Sequence, residues 1–165
     1  MLQIAHSSTR KLMGVLAAAD GLPAVVEALV LQQGFKLPAV TAQQIIAQNV
    51  APDVAEHSTI SNYPLIYVYC SKVVNELREK FRTFSGEAQM VVEARVSQDR
   101  LDQLEMNLHA YVDAITQTLD NSRGDWGDGT FFAGQYEVSF SGVKHGGRNF
   151  LQTAKVAFTL EISAG

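Results

Sequence analysis

The sequence predicts an α+β domain: a mixed or antiparallel sheet of four to five strands, one long helix packed on one face, and helices at the N-terminal end. Three observations predict it. Three stretches alternate apolar and polar residues at a period of two, at 88–96, 136–140 and 153–162. Between the first two runs an apolar stripe at helical spacing, Leu101, Leu104, Leu108, Tyr111, Val112, Ile115 and Leu119. Charge is also uneven: residues 1–62 hold 7 of the chain's 30 Asp, Glu, Lys and Arg residues, so the first third reads as helices with few polar faces. Strands that keep one polar face belong to sheets covered by helices on the other face.

Each element has local support. Ser8 or Thr9 is the expected cap of a first helix with Leu12, Val15, Leu16 and Ala19 facing inward. Asp20-Gly-Leu-Pro23 breaks it. Pro23 suits the first turn of a second helix carrying Val26, Leu29 and Val30, and Gly34 suits its end. Thr41 and Gln44 match a capping box before Ile45 and Ile46, so a third short helix is expected there, ended or restarted at Pro52. Leu65 to Cys70 is apolar, aromatic and β-branched, and reads as a central strand buried on both faces. Ser97 is the expected cap of the long helix, and Asn121-Ser-Arg-Gly124 its end. Residues 1–165 read as a single domain, with a helical part at 1–61 and the sheet plus long helix at 62–165.

Composition bounds the function. The chain has 165 residues and a formal net charge of −4, which gives no global attraction to nucleic acid or anionic lipid. No apolar run reaches the ~18 residues that a membrane span needs. Arg10 and Lys11 before the run 12–19 faintly resemble an export signal, but the apolar pattern continues past Asp20 with no cleavage site. One cysteine, Cys70, allows no internal disulfide and reads as a buried, inert thiol.

Chemistry-bearing clusters are few. Asp120 to Gly129 holds three carboxylates and Asn121, a conceivable cation loop, but its spacing fits no calcium loop and a Gly-rich turn is the simpler reading. Arg123-Gly-Asp125 spells a short adhesion tripeptide. His6, His57, His109 and His145 lie in four separate segments, none at metal-ligand spacing. Asp125 or Asp128 with His145 is the one carboxylate–histidine pair a small hydrolase could use. In Lys144-His-Gly-Gly-Arg-Asn149, Lys144 and Arg148 can hold an anionic group, or sit solvated on a hairpin turn. Lys72 to Arg82 carries four basic and two acidic residues. Val73, Val74, Leu77 and Phe81 allow either a short amphipathic helix there or a long hairpin with Leu77 and Phe81 exposed, a feature of protein contacts.

The order of these motifs resembles the tail terminator proteins, also called tail completion or neck proteins, of long-tailed siphovirus-type phages. The matching features begin with the aromatic strand after Tyr63-Pro64, the charged hairpin, and the strand Phe84 to Ser97. The long helix, the turn Arg123-Gly-Asp-Trp-Gly-Asp-Gly129, the strand Gly134 to Phe140, and Lys144 to Lys155 leading to the last strand follow. The resemblance covers roughly residues 62–163. It implies a structural virion protein with no catalytic residues, cofactor or metal, found in the tail or neck of the virion and in the host cytoplasm during assembly. Its members form a homo-hexameric ring that ends tail-tube polymerisation and meets the head–tail connector or head completion protein. DNA passes through the lumen without sequence-specific binding, and no membrane is involved. On that reading Leu77, Arg78, Lys80, Phe81 and Arg82 face the tube or lumen, and Lys144, His145 and Arg148 join a second contact. Another connector or a tail-tube subunit is the nearest alternative, and a small hydrolase a more distant one.

Overall fold

The computed structural model describes residues 2–34, 36–50, 63–146 and 149–165. Among the described residues, three helices and a mixed sheet make the α+β class that the sequence predicts. The helices are α1 (Ile4–Leu16), α2 (Leu22–Gln33) and α3 (Leu101–Asp120). The strands are β1 (Ile45–Ile46), β2 (Leu65–Asn75), β3 (Phe84–Gln98), β4 (Gly124–Gly127), β5 (Thr130–Phe132), β6 (Tyr136–Phe140), β7 (Lys144–Gly146) and β8 (Asn149–Ala164). Among the described residues, eight strands replace the expected four to five. The additions are β1, β4, β5 and β7, each of two to four residues, too short to show an alternation.

β8 is the spine of the sheet. One edge pairs antiparallel with β3 over their whole length, from Phe84 opposite Ala164 to Gln98 opposite Phe150. Its other edge is shared in turn by β7, β6 and β5. Beyond β3 lies β2, antiparallel, and β1 adds the only parallel pair of the described sheet, Ile45 beside Ile66. Residues 1–61 are therefore not purely helical. The Thr41–Gln44 box is present, with the Thr41 N–H donating to Gln44 Oε1 at 2.8 Å, but it opens one 3₁₀ turn and then β1.

The helices cover one sheet face. Their core includes Leu12 and Leu16 of α1, Val26 of α2, and Leu104, Leu108, Ile115 and Leu119 of α3. These pack on Ile66, Val68, Met90, Val92, Val156 and Leu160 from β2, β3 and β8. Tyr111 is buried there, and its hydroxyl donates to the Pro38 carbonyl at 2.6 Å, tying the segment after α2 to α3. Burial pushes the Tyr111 phenol pKa well up. α2 starts with Pro23 in its first turn and stops at Gly34, whose φ of 69° is the left-handed stop expected of it.

Several boundaries move. α1 begins at Ile4, so Ser8 and Thr9 lie inside it. Ser8 is buried, and the Thr9 hydroxyl bonds back to the Ala5 carbonyl at 2.8 Å rather than capping. Val15 is only half-buried and Ala19 is exposed past the helix end. α3 is preceded by Arg100 instead of Ser97, which β3 absorbs, and Leu101 is exposed because it sits on the first turn away from the sheet. Pro52 and His57 lie outside the described residues.

Over the first half of β2 and the middle of β3 the second sheet face is not the polar, solvated face that alternation predicts, whereas Glu137 and Ser139 of β6 and Lys155 and Glu161 of β8 are exposed on it as expected. Leu65, Tyr67 and Tyr69 of β2, and Val91, Glu93 and Arg95 of β3, are all buried. The Leu65 to Cys70 strand is thus buried on both faces, as expected, over its first five residues. Arg95 Nη2 lies 2.7 Å from Glu93 Oε2, also donates to the Val50 carbonyl, and its guanidinium stacks 4.1 Å from the Tyr67 ring centroid. Cys70 is half-buried rather than fully so. Burial raises its thiol pKa, which keeps it a poor nucleophile. No helix among the described residues is long and apolar enough to cross a membrane.

Candidate functional site: two ends of one long ladder

The charged segment 72–82 is a hairpin, not a helix. β2 continues to Asn75 because its ladder with β3 runs to Asn75 opposite Gly86. The Asn75 side chain then organises the tip. Its Oδ1 accepts the N–H groups of Ser85 (3.0 Å) and Leu77 (3.3 Å), and its Nδ2 donates to the Thr83 carbonyl at 3.0 Å. The Glu79 N–H donates to the Ser85 hydroxyl, and the Ser163 hydroxyl donates to Glu79 Oε2 at 2.8 Å. The tip is thereby fixed from three sides.

Its apolar residues point out. Leu77 and Phe81 both have positive φ, 50° and 67°, a region that L side chains avoid. Phe81 is 99% exposed and Leu77 63%. The chain therefore gives the Phe81 ring no cover, and it holds the residue in a disfavoured backbone conformation. Arg78 is clamped between Glu76 and Glu87, the latter at 2.6 Å. These carboxylates raise its pKa, and hydrogen bonding to Arg78 lowers that of Glu76. Arg82 lies 3.6 Å from Glu79. Lys80 has no ion-pair partner among the described residues.

The second set sits elsewhere. Lys144 and His145 lie exposed on β7, opposite Leu151 and Phe150 of β8, with the His145 ring edge-on to Phe150 at 5.5 Å. Arg148 lies outside the described residues. The 72–82 hairpin extends beyond the end of the ladder where Phe84 meets Ala164, and β7 borders the end where Gln98 meets Phe150. Fourteen residue steps separate those pairs, or about 46 Å at the rise of an extended strand. The structure therefore puts the hairpin and the pair Lys144 and His145 at opposite ends of the ladder.

The same register removes the carboxylate–histidine pair. Asp128 adjoins Gly129, whose carbonyl accepts the Ser163 N–H, while His145 is opposite Phe150. The separation along β8 is about 40 Å. Nor do the carboxylates of 120–129 converge. Asp120 pairs with Arg123 at 3.0 Å, Asp125 Oδ1 accepts the Gly127 N–H at 2.7 Å, and Asp128 pairs with Lys11 at 3.1 Å. Arg123 of the adhesion-like tripeptide is spent on Asp120.

Lys11 is the functional-looking residue that sequence reading passes over. Its ammonium reaches from α1 to the Trp126 and Gly127 carbonyls as well as to Asp128, closing the β4–β5 turn where a cation could have been imagined. No local pattern announces a partner 117 residues away. The carbonyl bonds carry the effect, because the Asp128 side chain is 93% exposed. Lys11→Met should lower stability by about 1–2 kcal/mol and Asp128→Asn by about 0.5 kcal/mol or less, read from urea midpoints. Equal costs would reassign the anchor to the ion pair.

No protein-family profile matches this chain, and no curated protein sequence matches it.

Proposed function

We propose that this chain is an assembly subunit of a long-tailed phage: a ring-forming tail terminator that caps the tail tube, ends its polymerisation and meets the head connector. The observation that carries the reading is that the exposed hairpin residues 77–82 and the exposed pair Lys144 and His145 lie at opposite ends of the β3–β8 ladder. A subunit built that way can hold one partner at each end. The hairpin set is Leu77, Arg78, Lys80, Phe81 and Arg82. The second set is Lys144, His145 and Arg148. The resemblance of the motif order over residues 62–163 to tail terminators supports the same reading. A homo-hexamer, DNA passing through its lumen, and residence in the virion tail or neck belong to this proposal.

Replacing residues 77–82 with a short turn tests it. Asn75 and Ser85 lie outside the deletion, so the ladder and the thermal transition should survive. Tail capping and joining should fall to background. A deleted variant that folds and still yields normally joined tails overturns the assignment. Mass measurement separates the nearest rival: a terminator gives one discrete ring, whereas a tube subunit gives open polymers.

A further inference from the structure

We infer that the groove between α2 and α3 is a peptide-binding site. It takes an extended, mainly apolar segment of a partner protein, with Asn107 and Gln103 bonding to the segment's backbone and Lys36 to one Asp or Glu side chain.

Asn107 carries the inference. It is 9% exposed, and its side-chain amide has no hydrogen-bond partner among the described residues. A buried amide left unpaired is costly to the fold that holds it. Asn107 lines a groove of about 780 Å³, within the range of ligand sites, and the groove is where a partner can reach it. Val30 of α2, Leu37 after it and Met106 of α3 give the groove apolar walls. One wall is held in place from α3: Tyr111, one turn beyond Asn107, donates its hydroxyl to the Pro38 carbonyl at 2.6 Å. The site is therefore built before any partner arrives.

Spacing and charge select the occupant. Gln103 also lines the groove, four residues before Asn107, so the two amides repeat about every 6 Å along α3. Backbone groups facing the same way on an extended chain repeat about every 6.7 Å. Each side-chain amide offers both a donor and an acceptor, which is what a peptide group needs. An aliphatic acid would suit Lys36 and the apolar walls, but it would press hydrocarbon against Asn107 and leave the amide unpaired. Lys36 is exposed, has no ion-pair partner and is the one charged residue lining the groove, all among the described residues. It therefore favours a carboxylate on the segment. Neither the 77–82 hairpin nor Lys144 and His145 line this groove, so the inference stands apart from the ring reading.

Binding of the dye-labelled full chain to an array of capped hexapeptides tests this, each peptide being apolar except for Asp, Asn or Lys at one position. Asp peptides should bind about tenfold or more tightly than their Lys counterparts, and Lys36→Glu should reverse that order. Asn107→Leu should weaken the best Asp peptide about tenfold or more. Its urea midpoint should stay level or rise, because the amide bonds to nothing in its own chain. Gln103→Ala, at an exposed position, should weaken the same peptide several fold without moving the midpoint. Dodecanoate added as a competitor should leave the peptide bound. An array that binds nothing, or a preference that Lys36→Glu leaves unmoved, overturns the inference. So does a clear fall in the Asn107→Leu midpoint, which gives the amide a structural role. Displacement by dodecanoate overturns it too, by making the groove a site for aliphatic acids.

Discussion

Arg95→Ala is expected to destabilise the fold by about 3–5 kcal/mol, the cost of leaving a buried carboxylate without its partner. Arg95 and Glu93 are 2% and 3% exposed, and their side chains meet at 2.7 Å on the second sheet face. Lys155, 4.0 Å from Glu93 and itself half-exposed, is too distant and too solvated to replace the guanidinium. The loss also frees the Val50 carbonyl and the Tyr67 ring face. The pair does not thereby earn its place as a stabiliser. Among the described residues, Arg95 Nε and Nη1 find no hydrogen-bond partner, so the contacts described there only partly repay the guanidinium for its desolvation. Arg95→Met combined with Glu93→Leu should therefore recover most of the loss, ending within about 1–2 kcal/mol of the parent or above it. Urea unfolding of the two single variants and the double variant checks this. A double variant as unstable as the sum of the singles would mean that the two side chains act independently, and the ion-pair account would fall.

That cluster also marks the limit of what the residues reveal. The alternation at 88–96 locates β3, and its apolar half faces the helices as read. Glu93 and Arg95 look solvated because charged residues at period two ordinarily are. The contrary signal lay one strand away. Leu65 to Cys70 has no polar face at all, and a strand buried on both sides cannot be paired with a neighbour whose second face is wet at the same level. Taken together, the two strands called for cover over both. The long helix was legible because seven stripe positions repeat over five turns, and only Leu101, on the first turn, departs. β1, β4, β5 and β7 were not legible, since pairing partners far along the chain define them rather than any period of their own.

The candidate contacts divide the same way. That Leu77 and Phe81 are exposed followed from their charged surroundings. The choice between helix and hairpin did not, because Val73, Val74, Leu77 and Phe81 fit either until the register of β2 on β3 decides. The separation of the hairpin from Lys144 and His145 is a property of β8 being sixteen residues long and fully paired. No spacing in the sequence encodes it. The same ladder holds Asp128 and His145 apart, which the proximity of Asp128 and His145 in the sequence had concealed.

Gly129→Ala is the second large effect, expected at about 3 kcal/mol, and it separates backbone strain from steric exclusion. Gly129 has a φ of +73°, and a Cβ there would lie 1.9 Å from the Ser163 carbonyl oxygen. That oxygen cannot yield freely, because the Ser163 N–H is bonded to the Gly129 carbonyl at 2.9 Å where β5 joins β8. Gly127 has a similar φ of +87°, but its added Cβ would meet only the Lys11 ammonium at 3.8 Å. Gly127→Ala therefore pays the conformational cost alone, about 1 kcal/mol. Gly86→Ala supplies the reverse case. Its φ is not in the positive range, yet the Cβ would fall 2.0 Å from the Val74 carbonyl oxygen, so its cost is steric and falls on the β2–β3 ladder. Trp126, the chain's one tryptophan, sits in β4 against Phe132 and Phe158 at 5.6 and 6.2 Å and reports directly on this hairpin. In Gly129→Ala the fluorescence midpoint in urea should fall at least as far as the circular-dichroism midpoint, and further if the hairpin detaches before the sheet unfolds. In Gly86→Ala the two midpoints should fall together. Equal losses for Gly127→Ala and Gly129→Ala would show that the positive φ, and not the close approach of Ser163, is what demands glycine in this turn.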